Sequence, residues 1–117
     1  MQTAANQGEL KLAFGVHHAP KDAPMQIVRQ CETEGQALAV SIRAGGHKLA
    51  YIAKCVNRSV PYISQLQNGR RPIPDRLVGP LCAATGSNLL RQVRDLHRAL
   101  EAQDEVARLA EMLRAAA

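Results

Sequence analysis

Aromatic residues are almost missing from this chain, which has no Trp, one Phe and two Tyr among 117 residues. Sheet-rich cores draw on β-branched and aromatic side chains. Here the hydrophobic share is 46% and comes largely from Ala and Leu, residues that favour helices. An all-α fold follows. Long apolar runs are also missing, since none approaches the ~18 residues needed to cross a bilayer. The N-terminus lacks the charged-then-apolar layout of a signal peptide. The expected setting is cytoplasmic, with no membrane partner. Cysteine is scarce, and Cys31, Cys55 and Cys82 are odd in number, widely spaced and set among apolar neighbours. That pattern predicts buried reduced thiols, not a disulfide framework or a zinc site. The four histidines, His17, His18, His47 and His97, show no metal-ligand spacing with cysteine, so neither a metal nor a cofactor is expected.

The most informative absence is of negative charge. Between Gly35 and Pro74 stand Arg43, Lys48, Lys54, Arg58, Arg70 and Arg71, with no Asp or Glu. Elsewhere acid is in excess: Met1 to Glu34 carries net −1 and Asp95 to Ala117 net −2, although the whole chain is +5. Soluble surfaces normally intersperse both signs. Forty residues without a carboxylate therefore point to a polyanionic partner, whose condensed counterions are released when Lys and Arg meet phosphates.

A chain of this length supports one compact domain with an arm or an added helix. Residues 1–24 read as an N-terminal arm, in which Leu10, Leu12, Phe14 and Val16 alternate with Lys11, Ala13 and Gly15 as a short strand would, a disordered arm being the alternative. Asp22 is placed to cap a helix with Pro24 in its first turn. Val28, Cys31, Gly35, Leu38 and Ile42 then recur at helical spacing up to Gly45-Gly46, with a break near Glu34 as an alternative. Leu49, Ile52, Ala53 and Val56 form the stripe of a second helix. Ser59 is suited to cap a third, with Pro61 in its first turn and Asn68-Gly69 at its end. A fourth spans about Asp75 to Thr85, with a kink or break expected at Gly79-Pro80. Gly86 ends it and Ser87 caps the last. From Asn88 to Ala117 there is neither Gly nor Pro, so one long helix is expected. Its stripe runs Leu89, Val93, Leu96, Leu100, then shifts near Gln103 to Val106, Leu109 and Leu113. Residues 25–90 are thus assigned to a DNA-binding domain, and 91–117 to a helical extension for dimerisation or partner binding, the alternative being an extension folded back on its own domain.

Two short helices joined by a tight turn, Leu49–Val56 and Val60–Asn68, have the dimensions of a helix-turn-helix, in which the second helix enters the major groove. At about 100° per residue, Ile63 and Leu66 point together toward the first helix. Pro61, Ser64, Gln65 and Asn68 form the opposite face, which is polar and uncharged. Gln pairs with adenine edges, Ser bonds to several bases, and Pro or Val touches the thymine methyl. Candidate base-reading residues are therefore Val60, Pro61, Ser64 and Gln65. Tyr62 through its hydroxyl, and Arg58, Arg70 and Arg71 through charge, are candidates for phosphate.

The runs Ile52-Ala53-Lys54, Asn57-Arg58-Ser59 and Tyr62-Ile63-Ser64-Gln65-Leu66-Gln67-Asn68-Gly69-Arg70-Arg71-Pro72 resemble the Xre-type (phage repressor-like) helix-turn-helix family. The likeness covers about Leu38 to Leu90. It implies a five-helix α domain and a dimer that binds an inverted-repeat operator in double-stranded DNA to regulate transcription. By position it implies base reading at Val60, Pro61 and Gln65, phosphate contacts near Lys48, Asn68, Arg70 and Arg71, and a helix cap at Ser59. The chain departs from the family at Lys48-Leu49, at Gln67, and at Pro61, which removes a side-chain hydrogen bond from a reading position.

Two functions fit. One is a repressor acting as a homodimer, from a phage, prophage or other bacterial element. The other is an antitoxin-like autoregulator that engages a protein partner through its C-terminal helix, suggested by the charge reversal after Asp95. An enzyme is not expected, because Asp95 and His97 fall on different helix faces and no nucleophile, phosphate loop or metal set accompanies them.

Overall fold

The computed structural model of the protein describes residues 19–117, and these are all-α, with six helices. They are α1 (Met25–Gln30), α2 (Glu34–Ala44), α3 (Leu49–Cys55), α4 (Val60–Gln67), α5 (Asp75–Thr85) and α6 (Leu89–Ala116). The strand expected at Leu10 to Val16 lies outside the described residues.

The periodic stretch from Val28 to Ile42 is two helices, not one. Thr33 Oγ1 accepts from the Gln36 amide at 3.0 Å, and Gln36 Oε1 accepts in return from the Glu32 amide at 2.8 Å. This Thr-x-x-Gln pair is a variant of the capping box, its return bond going to the amide one residue before the cap, and it starts a new helix. Asp22 is not a cap: Pro24 precedes α1, and Asp22 instead accepts from the Asn88 side chain at 2.8 Å. The new start brings the first turn of α2 against the end of α4. A Cβ on Gly35 would lie 2.6 Å from the Leu66 carbonyl oxygen and 2.8 Å from that of Gln67. Glycine is required there by backbone proximity. Gly35→Ala should therefore destabilise the fold by about 1–3 kcal/mol in urea titration, as overpacked cores do. A gain of about 1 kcal/mol, typical of an unhindered helical glycine, would contradict this close approach.

Between α3 and α4 the chain reverses at Asn57, whose φ of 57° is the one positive value at a non-glycine among the described residues. Asn tolerates this region better than other side-chain-bearing residues. Ser59 accepts from the Tyr62 amide at 3.3 Å as the α4 cap, and Gly69 leaves that helix with φ 77°. α5 continues without interruption through Gly79-Pro80, where a kink or break was expected. Gly86, at φ 78°, ends it. Ser87 Oγ does bond the Leu89 amide, but the cap position of α6 is Asn88, one residue later than expected. The Asn88 side chain is drawn instead to the Pro20 carbonyl and Asp22, while Gln92 pairs with both backbone groups of Ala23. The segment before α1 is thereby fastened to the α5–α6 corner.

One core joins all six helices. Val28, Leu38, Ile52, Ile63, Leu66, Leu81, Leu90 and Val93 are almost wholly buried in it. The packed part of α6 extends to Leu96 and His97, which are half-buried. Beyond them the helix does not fold back, and nearly every residue from Arg98 to Ala117 is exposed.

Candidate nucleic-acid interface

The geometry of α4 follows from two anchors. Ile63 and Leu66 are fully buried, which fixes the rotation of the helix about its axis. Val60, Pro61 and Asn68 are then exposed, with Tyr62, Ser64 and Gln65 half-buried at the surface. Pro61 sits in the first turn, where a missing N–H leaves no hydrogen bond unmade. The sequence-predicted reading residues thus share one helix whose inner face is committed to the core.

The cations around α4 divide into two kinds. Lys48, at the start of α3, and Arg70, just after α4, extend into solvent. Arg58 and Arg71 are held by the protein. The Arg58 guanidinium donates to the Asn57 carbonyl at 3.0 Å, covering the end of α3. Arg71 returns over α4, where its Nε–H donates to Gln65 Oε1 and its guanidinium carbon lies 5.7 Å from the centre of the Tyr62 ring. Gln65 and Arg71, assigned from the sequence to separate tasks, are therefore bonded to each other. That contact was invisible in the sequence because it depends on the path of the chain through Gly69.

Charge pairing is sharply uneven. Among the described residues, none of Arg43, Lys48, Lys54, Arg58, Arg70 and Arg71 forms an ion pair, whereas Arg94, Arg98, Arg108 and Arg114 of α6 all do. The acid-free segment is bounded by Glu34 and Asp75, and both are bound by Arg94. Its NH2 group reaches Glu34 Oε1 at 2.6 Å, its NH1 group reaches Asp75 Oδ1 at 2.6 Å, and it also donates to the Ile73 carbonyl. Hydrogen bonding to Glu34 raises the Arg94 guanidinium further above its ordinary value, against the opposing effect of burial. The two carboxylates that flank the segment in sequence are thus paired by Arg94, and the cations within it have no ion-pair partner among the described residues. The Arg94 node was not legible in the sequence, because its position on α6 adjoins the apolar stripe and gives no sign of its partners.

The cysteines do not all behave as expected. Cys31 and Cys82 are buried, and burial pushes both thiols up, but Cys55 is exposed on α3. Its position follows from the helix: Ile52, Ala53 and Val56 take the inner face, leaving Cys55 outside beside Tyr51. In the native protein a chromogenic disulfide should modify one thiol promptly and the other two only after unfolding. Prompt modification of all three would show that the core around Cys31 and Cys82 opens readily. His47 stacks on Tyr51 with ring centroids 5.2 Å apart and bonds the Thr85 carbonyl, tying the start of α3 to the end of α5. Among the described residues no three His, Cys, Asp or Glu side chains gather as a metal-binding group, and no helix is long and apolar enough to cross a membrane.

Comparison with protein-family models, curated protein sequences and solved structures finds no match to this chain.

Proposed function

We propose that the chain is a sequence-specific DNA-binding regulator of transcription, acting as a repressor in the cytoplasm, with α3 and α4 as its helix-turn-helix. The observation that carries this reading is a segment of six cations that form no ion pair among the described residues, four of which, Lys48, Arg58, Arg70 and Arg71, border α3 and α4 and the uncharged outward residues of α4. A face of that kind offers affinity through phosphates and selectivity through neutral hydrogen-bonding groups. The likeness of the runs between Ile52 and Pro72 to the Xre-type family supports the same reading and implies phosphate contacts near Lys48, Asn68, Arg70 and Arg71, to which Arg58 by its charge and Tyr62 by its hydroxyl are added.

Affinity for duplex DNA is measured against salt and against sequence. The logarithm of the binding constant should fall linearly with that of salt concentration, by about 0.9 per phosphate neutralised. Duplexes selected from a random pool should bind at least about a thousandfold more tightly than scrambled ones. Equal affinity for selected and scrambled duplexes would remove sequence-specific regulation.

The exposed half of α6 belongs to the same proposal as the dimer contact. Val106, Leu109 and Leu113 are 65%, 49% and 73% exposed on a helix with no neighbour there among the described residues, an unfavourable state for large apolar side chains in water. A second copy of the chain covers them in this reading. The same stripe also suits the antitoxin-like alternative, in which another protein covers it. A chain that remains monomeric at micromolar concentration would favour that alternative.

A further inference from the structure

We propose that Arg71 reads a base, a guanine, and that Gln65 is its positioning residue rather than an independent reader of adenine. The proposal rests on the DNA-binding reading above and deepens it. Three contacts place the Arg71 guanidinium beside the reading face: the bond to Gln65, the Tyr62 ring beneath it, and the backbone turn in which the Arg70 amide donates to the Gln65 carbonyl at 3.0 Å. Tyr62 and Gln65 are separated by three residues on α4, so they present neighbouring positions on one face. Arg71 differs in this scaffold from Lys48 and Arg70, which extend into solvent, and from Arg58, which is held by backbone carbonyls at the end of α3 and not by side chains of α4.

The donor inventory selects the base. Arg carries five N–H donors and no acceptor. Gln65 Oε1 takes the Nε–H, which leaves the paired groups at the far end of the guanidinium free. One lone pair of the Gln65 carbonyl is engaged by Arg71, so the group left to lead the contact is the paired N–H end of the guanidinium. In the major groove only guanine shows two adjacent acceptors, O6 and N7, that meet both of those donors at once; adenine sets an amino donor beside its N7, cytosine shows an amino donor, and thymine shows the single acceptor O4. Pre-orientation by Gln65 and Tyr62 also spares some of the ordering that a long flexible side chain otherwise undergoes on binding.

The test is selection from a random duplex pool with the full chain and with Arg71→Lys, Arg71→Ala and Gln65→Ala, alongside affinity for a scrambled duplex and thermal melting of each variant. The wild-type chain should enrich a guanine at a fixed place in each half-site, preferred over other bases by roughly tenfold or more. Arg71→Lys should reduce that preference to under about threefold while changing affinity for the scrambled duplex by less than about twofold, because the charge remains and the fork is lost. Gln65→Ala should weaken discrimination at the same guanine. The proposal is overturned if Arg71→Lys keeps the wild-type motif while Arg71→Ala weakens all duplexes alike, the mark of a phosphate contact. It is also overturned if Gln65→Ala loses an adenine that Arg71→Lys retains. Failure of the DNA-binding reading itself is separately visible, because the unmodified chain would then enrich no motif.

Discussion

Arg94→Ala is expected to lose about 3 kcal/mol of stability and to lower the melting midpoint by more than about 10 °C. The Arg94 side chain is only 8% exposed, and it binds Glu34 through two nitrogens, Asp75 through a third, and the Ile73 carbonyl. It joins the first turn of α2, the loop after α4 and the first turn of α5 to the root of α6. Removing the guanidinium strands carboxylates that were folded against a cation, a loss larger than that of the bonds alone. Asp75, at 79% exposure, recovers by hydration and through Arg98; Glu34, at 31%, recovers less. The loss therefore belongs at the lower end of the range for buried pairs. Urea titration of Arg94→Met, Glu34→Gln and the double variant measures the coupling. The double variant should be more stable than Arg94→Met alone, since no uncompensated carboxylate then remains at position 34. Purely additive single effects would mean that Arg94 acts through packing of its stem. DNA affinity at low salt should also fall in Arg94→Met, because Glu34 would then offset the cations that follow it.

The helical class and most helix ends were legible because each rests on local chemistry. Ser59 caps α4, Asn68-Gly69 closes it, and Gly86 ends α5 where expected. Local chemistry also marks the break near Glu34, the alternative to one continuous helix: Thr33 and Gln36 carry a start signal as plain as that at Ser59, but the apolar period runs through it from Val28 to Ile42 and masks it. Gly35 shows why the chain breaks there, and its reason lies thirty residues away in the carbonyls of Leu66 and Gln67. The candidate interface divides along the same line. The outward face of α4 follows from periodicity once Ile63 and Leu66 are taken as inward. The Arg71–Gln65 bond and the Arg94 node join segments through turns whose geometry no spacing rule specifies. Cys55 is exposed despite its apolar neighbours in sequence, because Ile52, Ala53 and Val56 take the inner face of the helix and leave it outside.

Leu109→Glu combined with Leu113→Glu should abolish the dimer and reduce affinity for a two-half-site operator by at least about a hundredfold, with little change on a single half-site. Along α6 the stripe that grips the body (Leu89, Val93, Leu96) and the stripe formed by Val106, Leu109 and Leu113 differ by roughly 140° about the helix axis, at 3.6 residues per turn. The outer stripe is therefore out of line with the gripping one, and it lies on the part of α6 beyond the packed core, where Leu100 of the gripping stripe is exposed as well. Ala102 and Ala99 continue it toward the body at alternating spacings of three and four, the pattern that allows two helices to pack closely. Exposed Glu105–Arg108 and Glu111–Arg114 pairs on the same turns support the helix without covering this seam. A buried glutamate pair facing its symmetry mate would be strongly unfavourable, so sedimentation should show monomers. Uncoupling two reading heads removes an effective concentration in the millimolar range for the second half-site, which multiplies affinity by about 10² to 10⁴. Both substitutions lie beyond the packed part of α6, so the melting midpoint of the isolated monomer should be set by the same core as before. A dimer that survives them would place the contact elsewhere. A monomeric wild-type chain would leave this stripe to a different protein, and the operator-affinity loss would then be absent.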